Sequence, residues 1–456
     1  MSVALLPATE QLHLLKNKHI SPSELAEEHI RRIERLNPAL NAIIDFDPDR
    51  VRRQLTELPA GELQSLPITI KSSISTAGYR CEIGSALHAG HVPAEDAAAV
   101  SRLRQAGALI LGTTNCPEFL MAYETDNLLY GRTNNPWDLE RTPGGSSGGE
   151  SAAIAAGLSA GGLGSDSGGS VREPAHFTGI CSLKPTSGRI PAGGHLPPCL
   201  GPFSRLGAIG PMARTIPDVE LLFRITSQAA NATSSYKGVN ETDAKQIPIG
   251  WFEDDGITSV TSETRSSIAD AAEALRRRGF HLRSFRPKAL EKARKLWHTF
   301  FVQCGAMFYE PTITGRRSEL SPIFREFLQM AESQTPLTAA TLLQAWAEAD
   351  LIRDQILAEM KDCPLLLLPV ASTPAFRHGE REWMIEGQKV QYFDAMRFTQ
   401  WSNLLGAPAA VVPVGMSLEG LPIGVQIAGL PYQDELVLAV ARALDSEFGY
   451  RIPPLH

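Results

Sequence analysis

Lys71 closes the apolar run Leu66-Pro67-Ile68-Thr69-Ile70, and two glycine-serine turns follow it, Gly144-Gly145-Ser146-Ser147-Gly148-Gly149 and Gly168-Gly169-Ser170. A serine hydroxyl is a weak nucleophile until a base removes its proton, and a lysine can be that base where burial keeps it neutral. Read together, neutral Lys71 accepts a proton from Ser146, and Ser146 accepts one from Ser170 as Ser170 attacks a carbonyl. The oxyanion that forms needs preorganised donors. Ser167, Gly168, Gly169 and Ser170 offer successive backbone N–H groups, and glycine lets a substrate approach the main chain closely. The chemistry this describes is acyl transfer.

Two other readings of the turns compete with it. Glycine-rich loops before helices cradle phosphates, but neither turn ends in Gly-Lys-Ser/Thr or fits G-x-G-x-x-G after a strand. Residues 145–149 match the nucleophile elbow G-x-S-x-G with Ser147 central. That motif wants a hydrophobic strand before it, whereas 135–141 is polar, and the downstream histidines His195, His281, His298, His378 and His456 stand in no distinctive setting. Lys71 taken alone could also simply extend its ammonium to water.

The elements that must position these residues alternate between helix and strand. Helices are expected at 8–17 and 22–36, the second with Ser21 as N-cap, Pro22 at N1, Glu24 completing a capping box and Pro38 as its end. Residues 40–60 read as polar connection, 66–71 as a buried strand, 95–106 as a helix stopped by Gly107, and 108–112 as a strand. A long Asn- and Pro-rich loop precedes the first turn, and such loops tend to be functional. Residues 150–159 form an Ala-rich helix, and 161–165 a strand that delivers the second turn. Beyond Pro211, helices are expected at 216–226, 262–279, 391–404 and 432–446, and strands at 247–251, 281–285, 364–369, 409–414 and 423–428. A polar connection fills 229–245. Residues 288–361 read as mostly helical, with Trp297, Phe300, Phe301, Phe308 and Tyr309 either in the core or on a pocket wall. No repeat or clean linker divides residues 1–456, so a single domain is expected.

Composition narrows the function. A net charge of −7 over 456 residues, with 43% hydrophobic and 20% charged, is that of a globular protein without a basic surface for nucleic acid or anionic membranes. No basic segment leads into an apolar run at the N-terminus, and no span of apolar residues suits a membrane, which makes a soluble cytoplasmic protein the expectation. The six cysteines lack C-x-x-C spacing, and the eleven histidines form no H-E-x-x-H pattern. Free thiols and the absence of a catalytic metal are expected.

The stretches PITIKSS, TPGGSSGGESAAIAAG and GSDSGGSVREPAHFTGICSLKPTSGR resemble the amidase signature family, as do PEF, NPWD, WSNLLGAPAAVVPVG and LPIGVQIAG. The spacing of the two serines agrees as well, and the similarity covers nearly the whole chain. It implies an α/β fold, a mixed central β-sheet covered on both sides by helices, with N-terminal helices at 8–36, a signature core at about 65–215 and a variable pocket region at about 288–361. It assigns Ser170 as nucleophile, Ser146 as bridging serine after a cis Gly145–Ser146 peptide, and Lys71 as general base. Ser167, Gly168 and Gly169 would form the oxyanion hole. Leu120, Met121 and Ala122 would line the acyl pocket, and Asp166 and Arg172 would brace the second turn as a buried ion pair. Ser72 and Glu173 depart from the family pattern without touching the relay. The implied activity is hydrolysis of a small-molecule amide without a cofactor, with esters and carbamates as further substrates and a monomer or homodimer as the working form. An aromatic pocket wall at 297–309 would favour apolar or aryl acyl groups. The alternative is the A-type component of the glutamyl-tRNA amidotransferase, which works with a partner.

Overall fold

A computed structural model describes residues 2–227 and 236–455. In chain order the strands are β1 (Ile43–Phe46), β2 (Pro67–Lys71), β3 (Leu109–Thr114), β4 (Gly161–Asp166), β5 (Cys181–Lys184), β6 (Ala208–Ala213), β7 (Ile249–Trp251), β8 (Leu282–Ser284), β9 (Leu365–Pro369), β10 (Glu382–Ile385), β11 (Gln388–Gln391), β12 (Ala409–Met416) and β13 (Pro422–Gly429). All but the β10–β11 hairpin join one mixed sheet in the order β1-β3-β2-β4-β6-β5-β12-β13-β9-β7-β8. Helices cover both of its faces, which is the fold class expected. One cluster buries aliphatic residues that include Leu103, Leu222, Leu275 and Leu438, and another gathers Trp297, Phe300, Phe301, Tyr309, Phe324 and Phe327.

The segment that matters most is the parallel pair β2 and β4, in register Thr69 with Gly162 and Ile70 with Leu163. Parallel neighbours end on the same edge of a sheet, so Lys71 at the end of β2 and the turn after Asp166 at the end of β4 emerge side by side. The helix Gly148–Ala155, which begins just after Ser146 and Ser147, lies against both strands. It gets that close because β4 carries glycine: a Cβ on Gly162 would stand 2.1 Å from Glu150 Oε1 and 2.2 Å from the Thr69 carbonyl oxygen. Glu150 reaches into the sheet from the same helix, where Thr69 and Thr114 hydroxyls donate to its carboxyl at 2.6 and 2.8 Å.

Several local expectations are corrected. The second helix runs from Pro22 to Leu40, through Pro38. The ring removes only the bond to the Glu34 carbonyl, which lies on the exposed side where water can satisfy it, and Asn41 at φ 52° makes the actual stop. Residues 40–60 contain β1 and the helix Pro48–Gln54, because Ile43 and Val51 are buried on the sheet edge. Of the connection expected at 229–245, residues 229–235 lie outside the described residues, and Glu241–Lys245 is a helix. The six cysteines are free. Among the described residues no helix is long and apolar enough to cross a membrane, and no group of three or more His, Cys, Asp or Glu side chains could hold a metal ion.

Candidate active site

Lys71 is fully buried. Its Nζ donates to Ser146 Oγ at 2.7 Å, Ser147 Oγ at 3.0 Å and Ser165 Oγ at 3.1 Å, and among the described residues no carboxylate pairs with it. The side chain therefore does not extend to water. A buried ammonium surrounded by neutral hydroxyls is poorly compensated, and burial brings its pKa down to about 8, against the weaker opposing pull of Cys116, Asp166 and Glu150. Burial pushes Glu150 up to about 8, so this acid is mostly protonated at neutral pH.

Ser146 follows a cis peptide at Gly145–Ser146. Ser147 is packed behind it, fully buried, with its Oγ between Lys71 Nζ and the Ser165 main chain; among the described residues its Oγ bonds to no histidine, contrary to the elbow reading. Ser146, Ser165, Ser167 and Ser170 all border one cavity. Ser170 Oγ has no hydrogen-bond partner among the described residues, so the Ser146–Ser170 step of the relay is not a hydrogen bond in this conformation. Sequence reasoning missed Ser165, although it stands one residue before Asp166 in the GSDSGGSVR stretch.

The second turn is held from outside by its carbonyls. Trp297 Nε1 donates to the Ser167 carbonyl at 2.7 Å, while Tyr123 and Thr399 hydroxyls donate to that of Gly168 at 2.9 and 2.6 Å. A trans peptide carries its N–H opposite its C=O, so fixing these carbonyls fixes the N–H groups that follow them. The Gly169 N–H is already committed to Asp166 Oδ1 at 2.7 Å, which removes it from the expected oxyanion donors. Those of Ser167, Gly168 and Ser170 have no protein acceptor among the described residues. A Cβ on Gly168 would stand 2.4 Å from Trp297 Cζ2, so only glycine fits under the indole.

Asp166 and Arg172 form the buried pair expected of them. Arg172 Nε and Nη2 donate to the two Asp166 oxygens at 3.0 Å each, and the guanidinium also reaches Thr399, Ser402, Asn403 and Gln426. Burial alone would raise the Asp166 pKa, but the Arg172 charge and its hydrogen bonds hold the carboxyl well below the usual range. Removing one member leaves the other charged and buried. Arg172→Met should therefore cost about 3–5 kcal/mol, read from urea or thermal unfolding; a transition like the wild type's would show the pair to be dispensable. Glu173 also has a structural place: its Oε2 accepts the Gly145 N–H at 2.9 Å, and burial raises its pKa well above the ordinary value.

The wall of the cavity is largely apolar. Leu120 and Met121 line it, as do Phe301, Phe308 and Tyr309, with Phe119 and Phe203. Ala122 does not; it faces an adjoining groove with Tyr392 and Arg381. Trp297 stacks on Phe301 at 4.6 Å but is itself core, pressed against the turn. Phe119 and Leu120 hold left-handed φ angles of 51° and 67°, a conformation that costs about 1–3 kcal/mol per residue and is anchored by Phe119 packing on Tyr309 and Phe324. The segment 195–203 supplies His195, Pro197, Pro198 and Cys199, none of which any sequence pattern marked.

The family model described as Amidase matches residues 24–438. An acylamidase of Rhodococcus erythropolis is 34% identical, covering 96% of this chain and 94% of that protein. The A-type component of a glutamyl-tRNA(Gln) amidotransferase from Bdellovibrio bacteriovorus is 30% identical over 98% of this chain and 97% of that one. Among solved structures, 6-aminohexanoate cyclic dimer hydrolase superimposes with a TM-score of 0.85 at 26% identity, covering 99% of both chains.

Proposed function

The chain belongs to the amidase signature family, whose members hydrolyse amide bonds, and we propose on that premise that it cleaves small apolar or aryl amides through an acyl-enzyme on Ser170. One observation carries the reading: the buried Lys71 nitrogen, with no carboxylate partner among the described residues, lies 2.7 Å from Ser146, which borders the same cavity as Ser170.

Ser170 Oγ attacks the carbonyl carbon, its proton passes to Ser146, and the proton of Ser146 passes to neutral Lys71. The Ser170 hydroxyl turns toward Ser146 when substrate enters, a tightening common between free and substrate-bound sites. The N–H groups of Ser167, Gly168 and Ser170 stabilise the oxyanion. On collapse the C–N bond breaks and the amine nitrogen takes a proton from Ser146, which Lys71 replenishes. Water then attacks the acyl ester by the same route and releases the acid. Esters react too, since an alkoxide leaves more readily than an amine, and carbamates present the same planar carbonyl.

The apolar wall supports an apolar acyl group, and among the relatives are an acylamidase and an indoleacetamide hydrolase. The test is to trap the intermediate with a slowly released aryl carbamate and locate the added mass by peptide mapping. An adduct on the peptide containing Ser170 is expected; an adduct elsewhere, or no turnover of any amide, would overturn the reading. Because neutral Lys71 is the working form, kcat/KM should rise as pH climbs through about 8 and level off above it. A flat profile with chemistry rate-limiting would exclude Lys71 as the base.

The similarity to A-type amidotransferase components supports a second reading, partner-dependent release of ammonia from glutamine. The cavity argues against it, because among the described residues no Asp, Glu, Lys or Arg lines it to pair with the charged ends of glutamine. Glutaminase activity that appears only with a second protein would reverse this preference.

A further inference from the structure

His195 borders the same cavity as Ser146, Ser165 and Ser170, and its backbone is mounted on the chain that follows the base. It forms a β-bridge with Ile74, while Leu196 N–H donates to the Ser73 carbonyl at 2.7 Å and Ser75 N–H to that of Gly194 at 2.8 Å. The imidazole and the lysine thus sit on two segments zipped together. His195 is only 7% exposed. Its Nδ1 lies 2.8 Å from the Pro197 carbonyl oxygen and 3.6 Å from Cys199 Sγ. A carbonyl only accepts, so Nδ1 carries the proton. Nε2 is then a lone pair, and among the described residues this buried atom has no partner. Burial brings the pKa of the ring down to about 4, against the opposing effect of the Pro197 carbonyl, so the imidazole stays neutral in the working range.

We propose that His195 Nε2 accepts a hydrogen bond from the N–H of the scissile C–N bond, so that the site favours amides and carbamates bearing an N–H over the corresponding esters. The serine hydroxyls on the cavity wall can each donate or accept and do not distinguish N–H from ester oxygen. An imidazole whose other nitrogen is committed can only accept. Facing an ester oxygen it meets a second lone pair and stays unsatisfied, and a buried polar group left without its partner is what gives a site strong discrimination. The ester is intrinsically the more reactive substrate, so the expected effect is on the ratio of the two rates rather than on which is larger. This inference rests on the serine hydrolase reading above.

The test compares kcat/KM for a p-nitroanilide and a p-nitrophenyl ester of one acyl group. In His195→Phe, a ring with no acceptor, the anilide-to-ester ratio should fall about tenfold, the effect of losing one hydrogen bond. His195→Gln, whose side-chain oxygen can accept, should restore most of the ratio. A purely structural histidine, or one that positions the hydrolytic water, would lower both substrates by the same factor, and an unchanged ratio overturns the proposal. Wild-type enzyme supplies a check that needs no folded variant. The N-methyl anilide, which has no N–H, should react at least about tenfold more slowly than the anilide, and equal rates would overturn the proposal as well. If wild-type enzyme cleaved neither anilide nor ester, the hydrolase reading itself would fail and this inference with it.

Discussion

Ser170→Ala should lower kcat/KM for amides by about 10^4- to 10^6-fold, the range seen when a nucleophile is removed from a catalytic serine unit. Ser146, Ser147 and Ser165 all hold hydrogen bonds from Lys71, whereas Ser170 Oγ borders the cavity unengaged. Ser146 and Ser165, on the same cavity wall, are therefore not free to substitute for it. The free N–H groups of the second turn remain in the variant, so a residual rate above that in water should persist. The variant should unfold at nearly the wild-type temperature, because the lost hydroxyl has no hydrogen bond among the described residues. Activity is read by release of p-nitroaniline and stability by thermal unfolding of the same preparation. Near wild-type turnover in a folded variant would move the nucleophile elsewhere.

Lys71→Met should cost about 10^2- to 10^4-fold in kcat/KM, the typical worth of a positioned general base. It should also remove the rise of rate with pH through about 8, because that rise belongs to deprotonation of this side chain. Methionine has a similar length and no charge, and the lysine it replaces has no carboxylate partner among the described residues, so stability should be kept or raised. This outcome separates a base from a structural cation: a structural Lys71 would be expected to lower the unfolding temperature and leave the shape of the pH profile intact. The double variant with Ser170→Ala should be scarcely worse than Ser170→Ala alone, since both residues act on the same step and such losses do not add. Additive losses would place Lys71 outside the proton path.

The parts of the site that were legible share a cause. The two turns declare themselves because backbone geometry there tolerates only glycine and small hydroxyl residues, and Lys71 because it stands at the end of an apolar strand. The helix that begins at Pro22, with its Ser21 cap, was readable for a similar reason. The cavity wall was not. Phe119 and Leu120 come from the long loop, His195 and Cys199 from an irregular segment after β5, and Phe301, Phe308 and Tyr309 from the helical region, and nothing in their local sequences says that they converge. The commitment of the Gly169 N–H to Asp166 was likewise hidden, because glycine at that position suits an oxyanion donor and a turn donor equally.

By itself the sequence determined which groups are available for the proposed chemistry, Lys71 with Ser146 and Ser170, because a proton relay demands those functional groups whatever surrounds them. Tertiary structure alone decided their electrostatic state and the shape of the space beside them. The depressed Lys71 pKa depends on burial among hydroxyls brought from β4 and the first turn to the end of β2. The cavity depends on strands far apart in the chain lying side by side in one sheet. Desolvation and cavity shape are properties of what surrounds a residue in space, and a linear pattern records only what is beside it along the chain.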